Sequence, residues 1–150
     1  MELFKKSLQR IFKLITSQIF FLIYGKVNKI ISVQDDERIK VNKVNLDNVS
    51  YNVFTVDSGR LYTDKISNIA VLLEKKLIEE ASIQIKNNNL AQINENEILN
   101  SGTPRLKKKL KGITVSFLNG GSGLDNYWHW IFEVLPKFAI IEKVINKKEI

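Results

Sequence analysis

The sequence predicts an α/β protein: an N-terminal amphipathic helix, a β-rich lead-in region, and then the start of a Rossmann-like domain that is incomplete within the 150 residues. Three observations carry this reading. Apolar residues recur at helical spacing through residues 2–24, and β-branched and aromatic residues cluster between 51 and 85. An alternating segment from Gly112 to Leu118 then runs into a glycine-rich loop and a helical pattern. Strand, glycine-rich loop and helix in that order form the opening unit of a doubly wound sheet. The chain divides into 1–25 (amphipathic helix), 26–50 (linker), 51–103 (β-rich region) and 104–150 (first part of the Rossmann-like domain).

The helix is read from Phe4, Leu8, Ile11, Phe12, Ile15, Ile19, Leu22 and Ile23, which share one face, with Lys5, Lys6, Gln9, Arg10, Lys13, Thr16 and Ser17 filling the other. Gly25 is the expected stop. The apolar stretch from Leu14 to Tyr24 is too short to cross a bilayer, which takes about 20 mostly apolar residues. A basic segment before an apolar one has the outline of a signal peptide, yet Gly25, Lys26 and Val27 offer no small-residue cleavage pattern. Two readings of the amphipathic helix stand. It lies in an anionic bilayer surface with its basic face outward, or its apolar face packs on a part of the protein beyond these residues.

Residues 33–48 are polar and mixed, and Asp35-Asp36-Glu37 reads as a solvated turn in a linker. Tyr51–Val56 is expected as a strand, Asp57-Ser58-Gly59 as a turn and Arg60–Thr63 as a second strand. Ile69–Leu73 reads as a buried strand and Lys75-Lys76 as a turn. Leu77–Ile85 reads as its single partner strand, with Ala81, Ile83 and Ile85 alternating against Ser82, Gln84 and Lys86. The Asn-rich stretch 86–103 reads as a loop ending at Ser101-Gly102-Thr103-Pro104.

Composition excludes several classes. With no cysteine there is neither a disulfide framework nor a thiolate metal site. With His129 as the single histidine there is no histidine-rich zinc site. The net charge of +7 is uneven: +5 over residues 1–30, −3 over 31–100 and +5 over 101–150. That distribution suits an anionic membrane surface plus a small anionic ligand better than a basic stripe for nucleic acid, and no nucleic-acid partner is expected.

The chemistry concentrates after residue 118. Asn119-Gly120-Gly121-Ser122-Gly123 is the glycine-rich loop, Asp125 can cap a helix beginning near Asn126, and Pro136 is expected to kink or break that helix after Leu135 before it continues over Lys137–Ile145. Asn126, His129 and Glu133 fall at i, i+3 and i+7 on one face, with Tyr127, Ile131 and Val134 on another suited to the core. A helix N-terminus beside a glycine-rich loop favours an anion. Trp128 and Trp130 flank His129 and serve either as sugar-stacking surfaces or as core. Histidine is the side-chain type here whose unperturbed pKa lies near neutrality, which singles out His129. It is a general base or a charge partner for a leaving phosphate, or else it bonds a backbone carbonyl to fix the loop. The basic run Arg105, Lys107, Lys108, Lys109 and Lys111 is either a solvated surface or an attractor for an anionic lipid-linked acceptor.

The block Gly120-Gly121 … Asn126-Tyr127-Trp128-His129-Trp130-Ile131-Phe132-Glu133-Val134-Leu135-Pro136-Lys137 resembles the signature of glycosyltransferase family 61, which includes bacterial proteins of capsular polysaccharide synthesis. Gly59–Thr63 and Leu77–Ser82 resemble, more loosely, the β-rich region that precedes it. The resemblance implies a two-Rossmann (GT-B) architecture and inverting transfer from a nucleotide sugar without an obligatory metal. It also implies a further nucleotide-binding domain, so that these residues are under half of the enzyme and inactive alone. It makes His129 the expected catalytic residue, with Glu133 and Asp125 as reserve bases. Asn126, Gly120, Gly121, Tyr127, Trp128, Trp130 and Lys137 become substrate-binding. Lys137 departs from the family's arginine, keeping the charge and losing the bidentate fork. The expected acceptor is a glycan or lipid-linked glycan in surface polysaccharide synthesis, at the cytoplasmic face of the membrane, with residues 1–25 peripheral on the lipid. The alternative is a non-catalytic membrane-associated remnant that binds glycan or lipid.

Overall fold

A computed structural model describes residues 2–65, 67–100, 107–117 and 127–145. The protein is mixed α/β, with an N-terminal helix and a curled β-sheet. Helix α1 runs Glu2–Tyr24. It stops at Gly25, whose φ of 73° places it in the left-handed region and whose N–H bonds back to the Phe21 carbonyl at 2.9 Å.

The sheet is built around β5 (Asn68–Leu73). One edge of β5 pairs antiparallel with β4 (Arg60–Lys65), with a register shift between Tyr62 and Lys65. The other edge is shared end to end by β6 (Lys76–Ile78) and β7 (Ile83–Lys86). β7 continues into β8 (Asn89–Leu90), and β6 pairs parallel with β1 (Lys29–Ile31). The expected single strand 77–85 is therefore two. The chain leaves the sheet at Glu79, whose N–H bonds to the Ile31 carbonyl. The Ser82 hydroxyl replaces the missing rung by accepting from the Val71 N–H at 3.0 Å. The Glu80 carboxylate accepts from the Ser32 hydroxyl and the Val33 N–H, holding the crossing point. Periodicity could not separate these cases, because both halves alternate in phase.

The region expected as a linker is structured. Val33–Asp35 forms a 3₁₀ turn, and β2 (Ile39–Leu46) pairs antiparallel with β3 (Val49–Val56) in a two-stranded hairpin. Its turn, Asp47-Asn48, has positive φ at both residues, the geometry of a two-residue hairpin that Asn and Asp tolerate. Asn87-Asn88 closes β7–β8 in the same way. The stretch expected as a loop after 86 also contains a 3₁₀ turn at Ile93–Glu95 and a short helix α2 (Glu97–Asn100). Asn96 caps α2 by accepting from the Ile98 N–H, and the buried Gln84 amide oxygen accepts from the Glu97 N–H.

Both sheet faces are covered, as alternation within β5 requires. Ala70 and Leu72 join Leu77, Phe20, Val27 and Ile98 in one core. Leu73 joins Ile31, Ile39 and Ile78 in the other. Helix α1 docks by Thr16, Ser17 and Phe20, which are buried, with Tyr24 packed against the first core. Residues 16, 20 and 24 form one stripe at fourfold spacing. The apolar stripe identified from sequence lies on the other side and faces solvent; Leu8 is 59% exposed and Leu22 85%.

Candidate functional site

Residues 107–117 correct the sequence reading: they form no strand and join no sheet among the described residues. A strand without neighbours has no ladder to satisfy its backbone groups. The segment is a strap, bent at Gly112 and attached near both of its ends. At one end the Lys107 N–H donates to the Tyr24 hydroxyl at 2.6 Å. At the other end Phe117 packs against Phe138 with ring centroids 4.5 Å apart. Its carbonyl accepts from Lys137 Nζ at 2.6 Å. Lys137, expected to contact substrate, makes this bond to the strap here. Burial pushes its ammonium pKa down, while the nearby Glu133 carboxylate works the other way.

The helix that follows is α3 (Tyr127–His129), a π-helical turn over Trp130–Val134, and α4 (Leu135–Ile141). Pro136 does not break it. Proline sits at the start of α4, where its missing N–H removes no essential bond, and the wider turn precedes it. The helix ends at Ile141, and residues 142–144 form turns rather than continuing to 145. The π turn inserts an extra residue, so positions spaced for an α-helix before and after Trp130 no longer fall on one straight face. That splits the proposed core face of Tyr127, Ile131 and Val134; the alignment expected for Asn126 involves a residue outside the described ones. Val134 is buried and Ile131 half-buried, but Tyr127 is exposed.

The exposed side is aromatic. Trp128 is 67% and Trp130 52% exposed, and Trp128 stacks on Phe132 with centroids 5.2 Å apart and planes 11° from parallel. Neither tryptophan belongs to a core among the described residues. Val134 and Ile140 anchor the opposite side, and Lys143 Nζ lies 3.4 Å from the Asn45 carbonyl oxygen in the β2–β3 hairpin. One oxygen of Glu133 is shielded from solvent.

Gly120, Gly121, Asp125 and Asn126 lie outside the described residues, and of His129 only the backbone, in α3, is described. The structure thus brings Tyr127, Trp128, Trp130, Glu133 and Lys137 onto one short helix, with Lys137 committed to the strap. Among the described residues no three His, Asp or Glu side chains gather to hold a metal ion. None of the helices among them is long and apolar enough to cross a membrane.

A second polar constellation escaped the sequence reading. Arg60, at the start of β4, lies over the rings of Tyr24 and Phe20, and Lys107 approaches the same Tyr24 ring. Three positions so far apart in the chain leave no spacing signal; the aromatic residues closing α1 beside Gly25 were the only hint. No family model, no curated protein and no solved structure matches the chain.

Proposed function

We propose that this chain forms the membrane-associated, acceptor-side part of an inverting glycosyltransferase of the family-61 type, acting on a glycan or lipid-linked glycan with a nucleotide sugar as donor. The Rossmann-like GT-B architecture belongs to this proposal. The observation that supports it is the exposed aromatic side of the 127–141 helix. Flat aromatic faces presented to solvent match the apolar faces of sugar rings, and an exposed group of this kind marks an interaction surface rather than a core. Trp128 and Trp130 are the chain's two tryptophans, so intrinsic fluorescence reports on this surface alone. Sugar transfer is followed in the protein as encoded, with a panel of nucleotide sugars. His129→Ala is expected to lower the transfer rate by about a hundredfold or more, the usual worth of a positioned acid–base group. Transfer at the wild-type rate would remove His129 from the mechanism. Tryptophan emission unchanged by every oligosaccharide tested would count against the aromatic surface as acceptor site.

The outward stripe of α1 supports the membrane part of the proposal. Leu8, Ile11, Phe12 and Ile15 are exposed, and Lys5, Lys6, Arg10 and Lys13 are exposed around them. An apolar stripe flanked by cations complements an anionic bilayer surface.

A further inference from the structure

Tyr24 closes α1, and its half-buried ring holds two cations from distant parts of the chain. Arg60 Cζ lies 4.7 Å from the ring centroid and Lys107 Nζ lies 4.9 Å from it. Arg60 is also 5.2 Å from the centre of the buried Phe20 ring. The Lys107 N–H bond to the Tyr24 hydroxyl fixes the strap in this position. Aromatic faces stabilise cations but do not neutralise them.

Elsewhere the protein pairs its gathered charges. Arg38 bonds to both Asp36 and Glu74, Lys76 sits beside Asp36, and Lys86 meets Glu95. At Tyr24 the pattern is absent: among the described residues no carboxylate pairs with Arg60 or Lys107, and none of them offers the Arg60 guanidinium an acceptor. Burial disfavours the charge on Arg60. Burial does the same to Lys107, and the neighbouring charges of Arg60 and Lys109 add repulsion. A planar guanidinium stacked on a ring still directs its N–H edge outward, the geometry that grips a tetrahedral oxyanion with two parallel bonds.

We infer that Arg60 and Lys107, stacked on Tyr24, form a binding site for a phosphate group. The inference is independent of sugar transfer and of the 127–141 helix. A phosphate bound by these cations offsets their mutual repulsion and gives the guanidinium its acceptors. Two sources share this chemistry. One is a soluble phosphate ester. The other is the headgroup of an anionic lipid, for which the exposed Leu22 and Ile23 next to Tyr24 offer an apolar neighbour.

The test is titration calorimetry of the protein with inorganic pyrophosphate and, separately, with a short-chain water-soluble phosphatidic acid. Arg60→Gln and Lys107→Gln are each expected to weaken binding about tenfold, the worth of one charge-assisted hydrogen bond. Lys40→Gln, at an exposed lysine elsewhere, is expected to leave it unchanged. Binding of both probes identifies a soluble phosphate as sufficient. Binding of phosphatidic acid alone identifies a lipid headgroup. Lys107 is exposed and its backbone bond to Tyr24 survives substitution, so Lys107→Gln decides the matter if Arg60→Gln fails to fold. The site is refuted if neither probe binds, or if binding is the same in wild type and the Lys107 variant.

Discussion

Lys137 Nζ donates to the carbonyl oxygen of Phe117 at 2.6 Å, tying the C-terminal helix to an extended strap that no sheet supports. Lys137→Met keeps the aliphatic stem and removes the bond, leaving a half-buried carbonyl without its charged donor. The expected cost is about 1–2 kcal/mol, read as a lower urea midpoint. The same variant should increase hydrogen exchange of the amides in 107–117 while leaving β5 protected. Unchanged exchange in the strap would mean that its other contacts, among them the Phe117–Phe138 rings and the Lys107–Tyr24 bond, hold it without Lys137.

The Asp36–Arg38 pair sets an acid limit on stability. Arg38 Nε and Nη2 bond both carboxylate oxygens of Asp36, at 2.9 and 2.8 Å, and Nη1 reaches Glu74 at 2.8 Å. The Arg38 hydrogen bonds hold the Asp36 carboxyl well below the usual carboxylate range and lower Glu74 as well. A depressed carboxylate favours the folded state above its unfolded pKa, about 3.9 for Asp, and that contribution fades as pH falls towards the depressed value. Thermal melts of wild type and Asp36→Asn should therefore differ at neutral pH and converge as the pH drops below about 4. A gap that stays constant into strong acid would show that ionisation of Asp36 is not what stabilises the 33–38 turn.

The two sides of α1 should respond oppositely to substitution. Leu8→Glu with Ile15→Glu alters exposed positions and should change stability by no more than about 0.5 kcal/mol per site. The same pair should abolish co-flotation with vesicles of phosphatidylcholine and phosphatidylglycerol. Phe20→Ala, at a residue 1% exposed in the core, should cost about 3–5 kcal/mol and unfold much of the protein. Full flotation of the double variant would leave the stripe without a role at lipid.

Gly25 is the backbone exit of α1. Its φ of 73° suits glycine, and a Cβ there would sit 2.4 Å from Lys75 Cε, the flexible end of a side chain able to move aside. The strain of the left-handed conformation remains, so Gly25→Ala should cost about 1–2 kcal/mol. Glycine at Asn48, where φ is 65°, should by contrast leave the β2–β3 hairpin as stable or more so. Chemical denaturation of both variants checks the pair.

Local signals were legible in the sequence where one residue type had one physical meaning. The helix to Tyr24, the stop at Gly25 and the strands at 51–56 and 69–73 were read from spacing alone, and each has its counterpart in α1, β3 and β5. Signals that depend on partners were not. Ile39–Leu46 mixes lysine and asparagine with apolar residues and reads as linker, because only pairing with β3 makes it a strand. Ile113, Val115 and Phe117 alternate as a strand should, yet no strand among the described residues pairs with them. The aromatic side of the 127–141 helix was named residue by residue. Its exposure, and the π turn that rotates it, depend on tertiary context that no spacing encodes.

The parallel pairing of β1 with β6 joins Lys29 to Lys76 and Ile31 to Ile78, whereas β4 to β8 are joined by short connections between neighbours in sequence. During synthesis, α1 and β1 therefore leave the ribosome well before the strand and core they need. In that interval the stripe of α1 that the sheet covers is still without that sheet. Once β5 and β6 have formed, the stripe of Thr16, Phe20 and Tyr24 is claimed by the sheet, and the opposite stripe stays exposed. Order of emergence thus makes α1 a helix that waits for its partner: its inner stripe is spoken for only when the later strands arrive.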